Sequence, residues 1–362
     1  MKNKSFISKS QFLFIMIQTQ IGIGILSLPY KVFHASKESA WISVIVAGIL
    51  IQVSSYILIL LCRRFPHMTF FEFTSTITGV TLGKIITFIY ILYFSMVGVF
   101  ILKTYTKIIQ TWLLPYTPIW FTSLIMVGSS LYLVANHLQK IARFMVAAFP
   151  FLAILLILIT MSLQDAHILN LLPLHPLDSS ILNGTKEAFF SLYGFETILI
   201  LYPFIRGRKK EKTNYILLAN GVTILLYMYI VLLTILYFSP QELELLPESI
   251  LYLVKSVSVP FITRLDLIFL SFWIVAILNS FVIYLYIATE GVSTLFRKTH
   301  QRKIALLVST CILFFSLMPT HLIPLHVWNH YLEWSFLLLV ICIPSSLLIY
   351  SKWKKLKDVD AR

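Results

Sequence analysis

The sequence predicts an all-α integral membrane protein with ten transmembrane helices, the first and sixth of them discontinuous. Composition is the first reason. Of 362 residues, 58% are hydrophobic and 12% charged, where a soluble domain averages about 45–50% apolar and about 25% charged. The second reason is a set of ten apolar runs, at 12–30, 41–62, 84–106, 119–135, 144–163, 188–204, 214–238, 267–289, 303–320 and 332–350. Each is near the ~20 residues that carry a helix across the hydrocarbon core. They are continuous and lack the alternation of barrel strands, so helix is the spanning element. The third reason is a pair of breaks, Gly22-Ile23-Gly24 in the first run and Tyr193-Gly194-Phe195-Glu196 in the sixth. Matched interruptions in two halves of a chain point to a binding site at the bilayer midplane.

Lys2, Lys4 and Lys9 precede the first run. That pattern imitates a signal peptide, but the run is long and no A-x-A-like cleavage site follows, so it reads as an uncleaved span. With the N-terminus inside, 22 of the 29 basic residues fall on the cytoplasmic side and 7 on the outer side. This is the bias of the positive-inside rule, and it places both termini in the cytoplasm. The net charge of +14 is then an orientation signal and a contact with anionic membrane lipid, not a nucleic-acid surface.

In the first span, Gly22 and Gly24 each cost about 0.8–1.0 kcal/mol against alanine inside a helix. Pro29 follows five residues after Gly24. Together they favour unwinding. The alternative is that the glycines admit a neighbouring helix, as small residues four apart do in membranes. Residues i and i+2 do not share a helix face, so these two cannot form one packing groove. An unwound turn exposes N–H and C=O groups, which a membrane tolerates only against protein or a cavity. A ligand carrying a carboxylate and an ammonium could satisfy both kinds. The N–H groups around Ile23 to Ile25 suit the anion.

The inner stretch 65–83, with Phe70, Phe71 and Phe73, is expected at the headgroup boundary. In the third span, Tyr93, Ser95 and Gly98 lie near the middle, and Lys103 and Lys107 near the outer end. The lysines are expected to snorkel to the interface. The outer stretches 164–187 and 239–266 are long enough for short interfacial helices. In the sixth span, Glu196 is the acid well inside an apolar run. Charged at the bilayer centre it would cost about 2.5–3.5 kcal/mol on insertion scales, so it is a functional-site candidate by default. Its roles are ammonium partner or proton acceptor. The competing role is structural, a carboxyl bonded to backbone freed at Gly194. The eighth span adds Asn279 and Ser280. They either line a polar cavity or bond between helices, and Asn279 is the stronger candidate because an amide needs several partners.

No phosphate-binding GxxxxGK[ST], HExxH or GxSxG motif is present, so neither enzyme chemistry nor a cofactor is expected. His321, His326 and His330 lie in one outer segment with Glu333 nearby, too thin a set for a metal site. Cys62, Cys311 and Cys342 are scattered singly and read as small apolar residues.

The run Gly22-Ile23-Gly24-Ile25-Leu26-Ser27-Leu28-Pro29, with Tyr193-Gly194-Phe195-Glu196 and Tyr202-Pro203 in the sixth span, resembles the amino acid–polyamine–organocation transporters. Within that superfamily the chain most resembles the B subunits of bacterial spore germinant receptors, over essentially its whole length. The resemblance implies a LeuT-like fold of five plus five helices in an inverted repeat, with repeats at about 10–163 and 187–350 and a short basic tail at 351–362. It implies a small nutrient, an amino acid, bound at discontinuous helices 1 and 6, and A and C subunits as partners in the spore inner membrane. By motif, the backbone of Gly22, Ile23, Gly24 and Ile25 would meet a ligand carboxylate. Tyr193, Gly194, Phe195 and Glu196 would receive its ammonium and side chain, and the fold would add spans 3 and 8, which carry the candidates Tyr93 and Asn279, to the lining. Proton-coupled transporters of this fold often carry a lysine in span 5. Phe144 to Leu163 contains no basic residue, which favours a sensor over a pump.

Overall fold

The structure is a computed structural model describing residues 6–22, 24–172, 179–257, 263–297, 300–319 and 324–357, the side chains of Ser179 and His326 apart. Among these residues all regular structure is helical, save one isolated bridge between Ile7 and Ile205. Helix lies on each of the ten apolar runs. Six stretches are long and apolar enough to cross a membrane: Gly24–Arg64, Val80–Trp112, Leu138–Asp165, Lys209–Tyr237, Leu265–Leu295 and Val327–Trp353. The chain is an all-helical integral membrane protein.

Helix α1 (Lys9–Gln20) starts at a capping box, in which Ser8 Oγ accepts from the Gln11 N–H at 3.1 Å and Gln11 Oε1 from the Ser8 N–H at 2.9 Å. It stops at Gln20, and α2 (Gly24–Ser36) begins after the interruption. A 3₁₀ turn at Lys37–Ser39 leads into α3 (Ala40–Arg64). Helices α4 (Phe70–Thr78), α5 (Val80–Trp112), α6 (Ile119–Val134) and α7 (Leu138–Thr160) follow. The second interrupted element comprises α8 (Ser179–Ser191), a turn at 192–194, a 3₁₀ turn at Phe195–Thr197, α9 (Ile198–Leu201) and a 3₁₀ turn at Tyr202–Phe204. Then come α10 (Lys209–Tyr237), the short helices α11 (Pro240–Leu243) and α12 (Ser249–Ser256), α13 (Leu265–Leu295), α14 (Gln301–Ser316), α15 (Leu325–Phe336), a π-helical turn at Leu337–Cys342 and α16 (Ile343–Trp353).

Burial shows which elements are central. Residues 195–205 are all buried, as are residues 279–289 of α13. A helix apolar all round belongs inside a bundle. By contrast α6 exposes Trp120, Phe121, Leu124 and Ile125, a lipid-facing pattern. The halves of the two broken helices pair with each other. At one end α2 packs on α8, where Gly184 sits against Ser36 and Ser43, and Ser43 Oγ donates to Ile181 O at 3.2 Å. At the other end Ile7 and Ile205 form their bridge, with Ile7 N–H to Phe204 O and Arg206 N–H to Ile7 O both at 2.9 Å.

One expectation gains detail and another needs correction. Phe70, Phe71 and Phe73 on α4 are buried in protein, Phe70 against Tyr90 of α5 with ring centroids 4.3 Å apart. The amphipathic pattern was real, and its apolar face found a helix. Lys103 does not snorkel. It is 5% exposed, and its ammonium donates to Met318 O at 2.6 Å, just past the end of α14, where helix carbonyls lack intrahelical partners.

Candidate functional site at the two breaks

The chain leaves helical geometry at Ile21 and resumes it at Gly24. The carbonyls around this break are taken by side chains of other helices. Ser280 Oγ shares its one proton between Gln18 O at 3.1 Å and Thr19 O at 3.0 Å, Tyr227 OH donates to Gln20 O at 3.0 Å, and Trp273 Nε1 to Gly22 O at 3.2 Å. Those oxygens already have donors without any ligand. The first N–H groups of α2 are the other half of the break, and a helix start leaves such donors without intrahelical partners.

At the second break Gly194 adopts φ +122°, a conformation that favours glycine. The turn is braced by its own neighbours. Gly194 N–H donates to Glu196 Oε2 at 2.8 Å, and Thr197 Oγ1 donates to Gly194 O at 2.7 Å. Tyr284 OH donates to the other carboxyl oxygen, Glu196 Oε1, at 2.6 Å. Glu196 is 0% exposed with both oxygens engaged.

The two breaks touch. A Cβ on Gly194 would stand 2.9–3.1 Å from Gln20 Cγ, N and Cα, and one on Gly24 would stand 2.5 Å from Ser191 O and 2.9 Å from Tyr227 OH. Gly22 faces elsewhere, toward the side chain of Ser280. The two-residue spacing thus excludes one shared groove but serves two close approaches on different faces. Close packing and the break coexist at the same glycines.

Above this junction is a cavity of about 310 Å3. Its floor includes Gly22, Gly24, Ser191, Tyr193, Ser280 and Tyr284. Val97, Phe100, Ile101 and Phe190 make an apolar wall, and Lys31, Lys107, Glu248 and Asn329 also line it. The positive start of α2 and the carbonyl end of α8 converge on the floor. Those are complementary partial charges for a small zwitterion.

Of the expected site residues, Gly22, Gly24 and Tyr193 line this cavity. Ile23 lies outside the described residues. Ile25, Gly194, Phe195 and Glu196 are buried and do not line it. Tyr93 is buried in the third span and does not line the cavity. Asn279 is not at the cavity: its amide donates to Gln18 Oε1 at 2.6 Å, and Gln18 Nε2 donates to Met145 O at 2.6 Å, tying α13, α1 and α7. Ser191, Tyr284, Lys31, Glu248 and Asn329 were not anticipated. Ser280 and Tyr284 carry a usable signal, two hydroxyls at i and i+4 on one face of an apolar helix. Among the described residues no group of three His, Cys, Asp or Glu could hold a metal. His330 accepts a hydrogen bond from Trp334 Nε1 at 3.1 Å, and His321 lies outside the described residues.

The comparison with known proteins agrees with this architecture. Spore germination protein YndE of Bacillus subtilis (strain 168) is 28% identical over 358 residues, covering 97% of this chain and 98% of its own. Spore germination protein GerQB of Bacillus cereus is 27% identical over 287 residues, 79% of each chain. The crystal structure of MhsT in complex with L-phenylalanine superposes with a TM-score of 0.70 at 14% identity, covering 99% of this chain and 92% of MhsT. This gives the chain a LeuT-like fold. The family described as spore germination protein (Spore_permease) matches residues 6–321, so the chain belongs to that non-enzymatic family of membrane proteins.

Proposed function

We propose that the chain is the B-type membrane subunit of a nutrient germinant receptor. It binds a small nutrient, an amino acid, where the two breaks meet and passes a conformational change to A and C subunits. The reading is carried by one observation: the cavity floor brings a helix start and a helix end from the two interrupted elements together, at Gly24 and Ser191. The nutrient carboxylate takes the N–H groups of the segment Gly22 to Ile25. Its ammonium takes the carbonyl end of α8 at Ser191 to Tyr193. Gly194, Phe195 and Glu196 shape that end from behind, and Glu196 acts through Tyr284. Tyr93 and Asn279 support the surrounding helices. The apolar wall at Val97, Phe100 and Ile101 suits a small or apolar side chain.

The same proposal includes one transmembrane domain of ten spans, with inverted repeats at about 10–163 and 187–350 and a basic tail at 351–362. Both termini are cytoplasmic, by the 22-to-7 distribution of basic residues. The location is the spore inner membrane, with bilayer lipid as the surrounding partner. The signal to partner subunits can be no larger than the nutrient's differential affinity for the two states.

A second reading, an amino-acid permease, is favoured by the fold shared with MhsT, whose structure holds L-phenylalanine. Proteoliposomes separate the two. Binding of a labelled amino acid without uptake supports the receptor, and concentrative uptake supports the permease. A nutrient-panel germination assay on spores carrying this subunit and its partners identifies the ligand. If no nutrient elicits a response that depends on this subunit, the receptor reading is lost.

A further inference from the structure

A second recess of about 1080 Å3 lies beside the nutrient cavity, between α5, α6 and the end of α14. Among the described residues its charged lining is Lys103 and Lys107, one helical turn apart on α5, with no acidic residue beside them. Gln110, Thr106 and Ser316 add hydrogen-bonding groups. An ammonium has three donors. Among the described residues that of Lys103 makes a single hydrogen bond, to Met318 O. Lys107 is exposed, and no ion pair of it occurs among the described residues. Two neighbouring cations with no acidic partner among the described residues attract an anion.

The surroundings say what kind of anion fits. The recess runs onto Trp120, 56% exposed at the start of α6, and then onto exposed Phe121 and Leu124 on that helix. Phe314 and Phe315 of α14, which packs on α6, are exposed as well. Exposed tryptophan at the end of a span marks the headgroup level, and an apolar surface next to it belongs to acyl chains. The lysines would take a soluble anion as well, and any span exposes an apolar face to lipid; what favours a lipid is that the lysines and that face adjoin. A phospholipid uses both.

We propose that this recess binds the headgroup of an anionic phospholipid, with phosphate on Lys103 and Lys107 and acyl chains along α6 and α14. Lys107 and Leu325 line both this recess and the nutrient cavity. A bound headgroup therefore fixes a residue on the nutrient cavity's wall. That consequence rests on the nutrient reading; the lipid site itself does not.

The test uses the purified full-length chain in detergent, with phosphatidylglycerol and phosphatidylcholine of matched acyl chains, and counts retained lipid by native mass spectrometry. Phosphatidylglycerol is expected to be preferred, and Lys107→Gln to weaken its retention about fivefold, the worth of one lysine near a lipid surface. Lys107→Arg should retain it. Because Lys107 is exposed, its loss should leave the fold intact, with the melting temperature as control. Equal retention of the two lipids, or retention unchanged in Lys107→Gln, overturns the proposal. Stabilisation by inorganic phosphate that needs Lys107, without lipid preference, assigns the recess to a soluble anion and also overturns it. None of these readouts involves a nutrient, so they stand or fall apart from the receptor assignment.

Discussion

The two breaks solve the same problem in opposite ways. Both interrupt a helix inside a membrane, where every freed backbone group needs a partner. The first is braced from outside: Ser280 and Trp273 of α13 and Tyr227 of α10 supply its donors. The second is braced from within, by Glu196 and Thr197 only two and three residues from Gly194. A break held by neighbours reports on where the neighbours stand. A self-braced break keeps its shape while its surroundings move. The first is accordingly suited to couple ligand to helix movement, and the second to act as a fixed anvil, linked outward through the Tyr284 hydroxyl on Glu196.

The largest test of this contrast is Gly194→Ala. A residue with a Cβ at φ +122° costs about 1–3 kcal/mol in backbone strain. The methyl would also press on Gln20 at 2.9–3.1 Å, adding about 1–3 kcal/mol of overpacking. A clear fall in melting temperature is expected for the purified chain, together with loss of nutrient response. Full stability would mean the second break is not fixed by its own backbone. Next in size is Glu196→Ala, which strands the Gly194 N–H and the Tyr284 hydroxyl, at about 1–3 kcal/mol for each buried group left unpaired.

Gly24 and Gly22 divide by what they touch. Gly24→Ala drives a methyl to 2.5 Å from the Ser191 carbonyl, and backbone cannot move aside cheaply. It should cost about 1–3 kcal/mol and abolish the nutrient response while the chain still inserts. Gly22→Ala meets a side chain, that of Ser280. Its defect should be partly relieved in the double variant with Ser280→Ala, because the obstacle is removed. A thermodynamic cycle of melting temperatures reads the relief directly. Additive effects would show that Ser280 matters only as the donor to Gln18 and Thr19.

Much of this was open to sequence reasoning, and the remainder has a common cause. Glycine pairs and an isolated acid declare themselves locally, so both breaks and Glu196 could be found without coordinates. The partners could not. Trp273 is 251 residues from Gly22, and Tyr227 is 207 from Gln20. Periodicity reports which face of a helix is apolar, not which helix meets it. Asn279 shows the limit: an amide in an apolar run needs partners, but sequence cannot distinguish a cavity wall from a bond to Gln18. Lys103 shows it again, because a lysine near the end of a span looks the same whether it reaches water or the carbonyl of Met318.

The smallest expected effect is the most discriminating. In Glu196→Gln the amide oxygen can still accept the Gly194 N–H, and the new NH2 group can donate to the Tyr284 oxygen, since a phenol both donates and accepts. The brace survives, and stability should change by less than about 1 kcal/mol. The Tyr284 hydrogen, however, no longer points at Glu196 and is free to turn toward the cavity that Tyr284 lines. A shifted half-maximal nutrient concentration with an unchanged melting temperature would locate the role of Glu196 in orienting Tyr284. A large drop in melting temperature would instead assign the carboxylate to the brace alone. The self-braced break would then have no route by which to sense the ligand.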